Sequence, residues 1–429
     1  MRTIVRTTAV TLFAALLAGA SPIQSTVAAP GDNAVVHWNE IALNTIVADS
    51  TRGGPSSAIL YVAITQAAVY DAAMAIAGTH EPYAYDGNAP RGSSMDAAVA
   101  AAAHNVLVHY FPAQQAALDT AYASALATVP DGRSESHGVK LGQRSAAEII
   151  ALRANDGRDA VIPEPPNGTE PGEWRRTGTN PNAPAVTPYV AQVTPFLAKS
   201  PSQFRPEGPY DLTSSQYAEE FERTRRYGGK ADTAATDVIR SEEQTEIATF
   251  WTENTVRQYN RALRGLANAR GLSTADSSLL FAMTDIPMAD AMITCWNTKY
   301  HYLAWRPATA IPLANTDGNP ATAADPDWVP LSTTAMHPEY VSGHACLTGA
   351  ITRGLEEFLG TKAIDFTMTS TAVGANNPHI FATTGQLRTE VEDARVYGGD
   401  HWTTGGADGT DLGDELADWA LRRYFDPIS

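Results

Sequence analysis

Cysteine is nearly absent: Cys295 and Cys346 are the only two in 429 residues. That excludes a disulfide-built scaffold and a thiolate cage for zinc or iron–sulfur. The two thiols read either as one bridge in an exported protein or as free, buried groups in helices. Charge is also sparse, at 18% of residues, and positive charge is the scarcer sign: 30 Lys and Arg against 47 Asp and Glu, a net −17. Such a balance argues against nucleic acid or an anionic membrane surface as partner. It also makes any local gathering of cations conspicuous. Long β-branched runs are missing, and alanine dominates the apolar residues, which favours closely packed helices over sheets. No repeat of solenoid period occurs.

The first residues carry a secretory pattern. Arg2 and Arg6 precede an apolar run from Ala9 to Leu17, and small-residue cleavage sites follow at Ala18-Gly19-Ala20 and near Val27-Ala28-Ala29. We expect residues 1–29 to act as a signal peptide and the protein to be exported, to the periplasm or the extracellular space. The apolar run is too short to span a bilayer, so no membrane span is expected.

The organisation expected is all-α: two packed four-helix-type bundles joined by a long Pro-rich connection. The first bundle covers 30–155. Val62, Val69 and Ile76 fall on one face of a helix through Ser56–Ala77, Ser93-Ser94-Met95-Asp96 opens a helix to Tyr110, Pro112 starts one through Leu126, and Ser134–Arg153 gives a fourth. Residues 156–235 are interrupted by prolines from Pro163 to Pro195, yet hold Trp174, Tyr189, Phe196, Phe204 and Tyr210; the segment is read as wrapping the surface or walling a pocket. The second bundle covers 236–429, with helices from about Ser241 and over 258–271, 275–306, 343–360 and 405–424. Asp317-Gly318-Asn319-Pro320 is turn chemistry and lacks the acidic spacing of a calcium loop.

Three stretches of that second half carry the chemistry. Lys299 and Arg306 are seven apart, which on a helix places them on one face two turns apart, with Trp296 on the same face. Ser342-Gly343-His344 precedes an apolar segment with Leu347, Ile351 and Leu355, so the tripeptide sits at a helix N-terminus, where free N–H groups and the dipole favour an anion. Arg395 and His401 flank a loop containing Gly398, Gly399 and Asp400. Each alone has a bland reading as helix surface, cap or loop. Together they form an oxyanion-holding kit.

The set resembles the superfamily that joins vanadium-dependent haloperoxidases with type-2 phosphatidic-acid phosphatases and bacterial acid phosphatases, whose pattern is Lys-x6-Arg-Pro, then Pro-Ser-Gly-His, then Ser-Arg-x5-His-x3-Asp. The match covers roughly Trp296 to Gly409, and the helical architecture before it resembles the bacterial haloperoxidase-like branch. The resemblance implies a vanadate cofactor whose oxygens are held by Lys299, Arg306, Ser342, Gly343 and Arg395. His401 would bond the vanadium, and His344 would be the acid–base at the opposite side, making His344 and His401 the catalytic pair. It further implies oxidation of halide by hydrogen peroxide to hypohalous acid, with an organic acceptor and oligomeric assembly left open. Trp296 and His337 correspond to halide-side positions. The run His337-Pro338-Glu339-Tyr340 resembles the bromoperoxidase pattern, implying bromide or iodide preference.

Departures bear on the reaction. Val341 stands where the pattern has Pro, Ala394 where it has Ser, and Gly405 where it has the Asp that orients the second histidine. Asp400 or Asp408 is a candidate substitute for that carboxylate. The rival reading is an exported acid phosphatase with His401 as nucleophile and His344 as general acid, since vanadate and the phosphoryl-transfer transition state share shape and charge. A non-catalytic oxyanion-binding protein is the third reading.

Overall fold

A computed structural model of the chain describes residues 33–177, 182–374 and 376–428. The expected signal segment lies outside them. The first helices are α1 (Ala34–Ala48), α2 (Pro55–Ala77), α3 (Met95–Tyr110), α4 (Gln115–Leu126) and α5 (Arg133–Leu152). Their ends follow local chemistry. Asn33 and Ser94 accept N–H groups at the starts of α1 and α3, Pro55 opens α2, and Gly78 closes it in a left-handed conformation (φ 61°). α2 does not expose the polar face that a simple amphipathic reading gives it, being buried from Ser56 to Met74.

The Pro-rich segment wraps the molecule. Asp290 clamps it by accepting N–H groups of Phe196, Leu197 and Ala198 at 2.5, 2.7 and 2.8 Å. The segment contains a helix that its proline content conceals, α6 (Ser215–Gly228), capped by Ser214. Beyond it come α7 (Glu242–Phe250), α8 (Thr255–Ala269) and α9 (Thr274–Tyr302). α9 stops earlier than expected, because Leu303 turns left-handed (φ 49°) and Pro307 follows. Arg306 is therefore not on the helix that carries Lys299. It is the N-cap of the single-turn α10 (Pro307–Ala310).

The remainder comprises α11 (Gly343–Leu359), a hairpin of β1 (Ala363–Met368) and β2 (His379–Thr383) with Phe366 opposite Phe381, α12 (Thr384–Tyr397) and α13 (Thr403–Leu421). The fold is helical as expected, with that antiparallel hairpin as its sheet among the described residues.

α2 and α9 pack against each other at the centre. α3 and α5 lie on α2, α11 and α13 lie on α9, and one continuous apolar core runs through both halves. Both central helices are long and apolar enough to cross a membrane by composition, but other helices enclose them. A smaller cluster of Tyr217, Phe221, Trp305, Trp328 and Trp402 lies beneath α6 and α10. It anchors the residues directly adjacent to Arg306 and His401.

Candidate active site: a buried cationic cavity

α11 and α13 cross at glycines: a Cβ on Gly413 would come within 2.1 Å of the Cys346 carbonyl. This close crossing brings the start of α11 and the loop before α13 to one place. There a cavity of about 210 Å³ is lined by Trp296, Arg306, His337, Gly343, His344, Arg395 and His401. Pro55, Val186, Met292 and Leu347 supply its apolar wall, so α2 and the Pro-rich segment help to close it.

His344 begins α11, whose N-cap Ser342 accepts the Ala345 N–H on Oγ at 3.4 Å. The expected helix N-terminus is therefore present, with Gly343 against the Trp296 ring, where a Cβ would lie 3.1 Å away. The Trp251 carbonyl accepts from both His344 and Arg395. His344 Nε2 is left buried without a partner, and so is Arg395 Nε. Arg395 is steered by Asp400, whose Oδ2 accepts its Nη2 at 2.6 Å.

Arg306 is fully buried and spans the floor. Its Nε donates to the His337 carbonyl at 2.9 Å and its Nη1 to the Asp400 carbonyl at 2.8 Å. Nη1 also lies 3.3 Å from His401 Nε2, and Nη2 lies 2.8 Å from His337 Nδ1. A guanidinium only donates, so His401 Nε2 carries a lone pair, whereas His337 Nδ1 lies between that donor and the Pro338 carbonyl at 3.1 Å. Lys299 differs from the expectation of a cavity-facing cation. Its ammonium donates to the carbonyls of Pro338 (3.0 Å), Glu339 (2.9 Å) and Val341, which shapes the loop before α11 from below. The Trp296 indole N–H is likewise spent, on the Val186 carbonyl (3.2 Å) and Thr187 Oγ1 (3.1 Å), so that residue presents only its ring, tilted against His337 at 5.0 Å between centroids.

Neither carboxylate expected to orient His401 does so. Asp400 is taken by Arg395, and Asp408 accepts the Tyr340 hydroxyl at 2.5 Å. The ring Nδ1 bonds instead to Glu339 Oε1 at 2.8 Å. Burial holds His337, His344 and His401 well below the ordinary imidazole range, reinforced at each by neighbouring cations: Arg306 and Lys299 at His337, Arg395 first at His344, Arg306 first at His401. The site thus presents neutral imidazoles beside fixed positive charge. Cys295 and Cys346 are both buried and free.

An oxyanion fits this donor set. It would accept from the stranded Arg395 Nε, and a protonated oxygen of it would donate to the unpartnered His344 Nε2.

Comparison with known proteins agrees with that chemistry. Residues 279–429 match the family described as the VCPO second helical-bundle domain. The vanadium chloroperoxidase of Curvularia inaequalis is 27% identical over 210 residues, which is 40% of this chain and 33% of that protein. The second half of the chain is thus similar to vanadium haloperoxidases. Its match spans only about a third of that curated relative's length. Two solved structures share the fold over nearly the whole chain. A bacterial vanadium-dependent iodoperoxidase superposes with TM-score 0.74 at 20% identity, covering 92% of this chain and 97% of that one. A holo-type bacterial vanadium-dependent chloroperoxidase superposes with TM-score 0.71 at 20% identity, covering 93% and 98%.

Proposed function

We propose that this protein is a vanadate-dependent haloperoxidase that oxidises halide, bromide or iodide in preference, with hydrogen peroxide to hypohalous acid. The carrying observation is the pair of buried, unpartnered polar atoms, Arg395 Nε and His344 Nε2, on two residues that line the same cavity as His401. Arg306, Arg395, Ser342 and Gly343 would hold the oxyanion, Lys299 would add charge through the loop it braces, and His401 Nε2 would be the ligand atom. Bound vanadate supplies Lewis-acid activation of hydrogen peroxide. His344 Nε2 would hold the proton given up by hydrogen peroxide and return it to the oxygen that halide takes, so that the product is hypohalous acid. The neutral state of His344, with Arg395 beside it, suits the first of these roles. Arg306 and Arg395 stabilise negative charge developing on oxygen without reorganising. Trp296 and His337 bound the halide side, where a ring face and an imidazole suit a soft anion. The pattern in residues 1–29 supports action outside the cytoplasm.

One observation favours the acid-phosphatase reading. His401 does possess an orienting carboxylate, Glu339, which a histidine nucleophile needs. Assaying metal-free protein with hydrogen peroxide and bromide, with and without orthovanadate, beside a phosphomonoester, separates the two. Bromination that appears only with orthovanadate is expected; phosphate release without halide oxidation would replace this proposal by its rival.

A further inference from the structure

We infer that Glu339 is the positioning carboxylate of His401, relocated from the helix after the histidine to the loop before α11, and that Gly405 exists to make room for it. The inference rests on the reading of His401 as the ligand histidine. Its support is steric as well as polar. Glu339 Oε1 accepts from His401 Nδ1 at 2.8 Å and from the Trp402 N–H at 3.1 Å. A Cβ at 405 would lie 2.3 Å from that same oxygen, so any side chain there collides with the carboxylate. The two positions compete for one volume, and the superfamily pattern fills it from 405, whereas this chain fills it from 339.

The backbone holds Glu339 in place from both sides. Its N–H donates to the Ala304 carbonyl at 3.0 Å, and its own carbonyl accepts from Lys299. The side chain is completely buried. The contacts at the two ring nitrogens of His401 agree on one tautomer: Nε2 faces a donor, Arg306, and Nδ1 faces an acceptor, Glu339. The proton therefore sits on Nδ1, and the Nε2 lone pair points into the cavity. Lys299 gains a second role from this arrangement, because its grip on the carbonyls of 338, 339 and 341 aims Glu339 at His401.

The test is a relocation cycle on the full chain, using E339A, E339Q, G405D and E339A/G405D. Two readouts are followed, the His401 tautomer by nitrogen-15 imidazole NMR and orthovanadate affinity by calorimetry. E339A should lose the fixed Nδ1–H tautomer and bind orthovanadate roughly 10- to 100-fold more weakly. G405D alone should also weaken binding, because two carboxyl groups then contend for one space. The double variant should restore the tautomer and bind more tightly than either single variant. E339Q keeps an acceptor oxygen and should keep the tautomer, which covers the case in which E339A fails to fold. Unchanged tautomer and affinity within twofold in E339A, or a double variant no better than its parents, overturns the inference. Halide oxidation is not among these readouts. Wild-type protein with the fixed tautomer but no halide oxidation would sink the haloperoxidase reading alone, and wild-type protein lacking the Nδ1–H tautomer would sink this one.

Discussion

Arg306 Nη2 lies 2.8 Å from His337 Nδ1, closer than the 3.1 Å from that nitrogen to the Pro338 carbonyl, and the nearer guanidinium donor favours a ring proton on Nε2. Burial, with Arg306 and Lys299 alongside, keeps His337 neutral, so it offers an uncharged N–H donor rather than a cation. One side chain thereby organises both imidazoles of the floor, since Arg306 also faces His401 Nε2. H337F removes that donor and leaves Arg306 Nη2 with the 3.4 Å contact to the Pro338 carbonyl. We expect the bromide kcat/KM to fall by roughly 10- to 100-fold, the range of one lost buried hydrogen bond near charge. Orthovanadate affinity should change far less, because Arg306 keeps its bonds to the carbonyls of residue 337 and Asp400. Steady-state kinetics with both bromide and iodide checks this, and equal losses of halide turnover and vanadate binding would refute it.

Removing the proposed ligand should have the opposite profile. H401A deletes the lone pair at the cavity floor and strands Glu339 Oε1 without the ring. Orthovanadate-dependent activity should be abolished, with calorimetric affinity reduced by at least about 100-fold, since a lost ligand exceeds the 10- to 100-fold cost of a lost orienting partner. Retained full activity would remove His401 from that role.

The sequence made the second half legible where local rules suffice. The helix beginning at Gly343 follows from Ser342 and the Leu347, Ile351, Leu355 spacing, and α3 begins at its serine cap. Three things were not legible. Arg306 left the α9 helix because Leu303 adopts a left-handed conformation, which no propensity favours for leucine. α12 was overlooked although it carries a capping box, Thr383 with Gln386, and buries Leu387, Val391 and Ala394 on one face. Glu339 was missed because its partner lies 62 residues away, and only the collision at Gly405 links the two positions.

The crossing of α11 and α13 yields a paired prediction. Gly413 has the Cys346 carbonyl where its Cβ would be, and Gly349 has the Thr410 carbonyl at the same 2.1 Å. G413A must push the helices apart, at a cost of about 1–3 kcal/mol for overpacking. Because α11 starts at Gly343-His344 and α13 follows His401, orthovanadate affinity should fall along with the melting temperature. Gly265 is the contrast: it lies on the exposed face of α8 with open space around it, so G265A should stabilise by up to about 1 kcal/mol through helix propensity. Thermal melts of both variants test the pair. A neutral G413A would mean that the crossing has slack.

His379 gives stability a pH dependence away from the cavity. Its ring stacks on Phe250 at 3.7 Å, with Nδ1 2.6 Å from Glu390 on α12 and Nε2 3.1 Å from Glu246 on α7. Burial pulls its pKa down, but the hydrogen bond and charge of Glu390, then Glu246, outweigh it, and the net value is raised. A raised folded value means that the contribution is fully present below the ordinary histidine pKa of about 6.5 and is lost as pH rises through the folded value. The group is only partly buried, so solvent screening limits the effect to a few tenths up to about 1 kcal/mol. Melting temperatures of wild type and H379Q from pH 5 to pH 9 should therefore differ most at the acid end and converge above neutrality. Glu390 also accepts the Trp251 indole N–H at 3.0 Å, and the Trp251 carbonyl holds His344 and Arg395. Loosening this clamp at high pH should thus weaken orthovanadate binding in wild type more steeply than in H379Q, and parallel binding curves for the two proteins would disconnect the hairpin from the cavity.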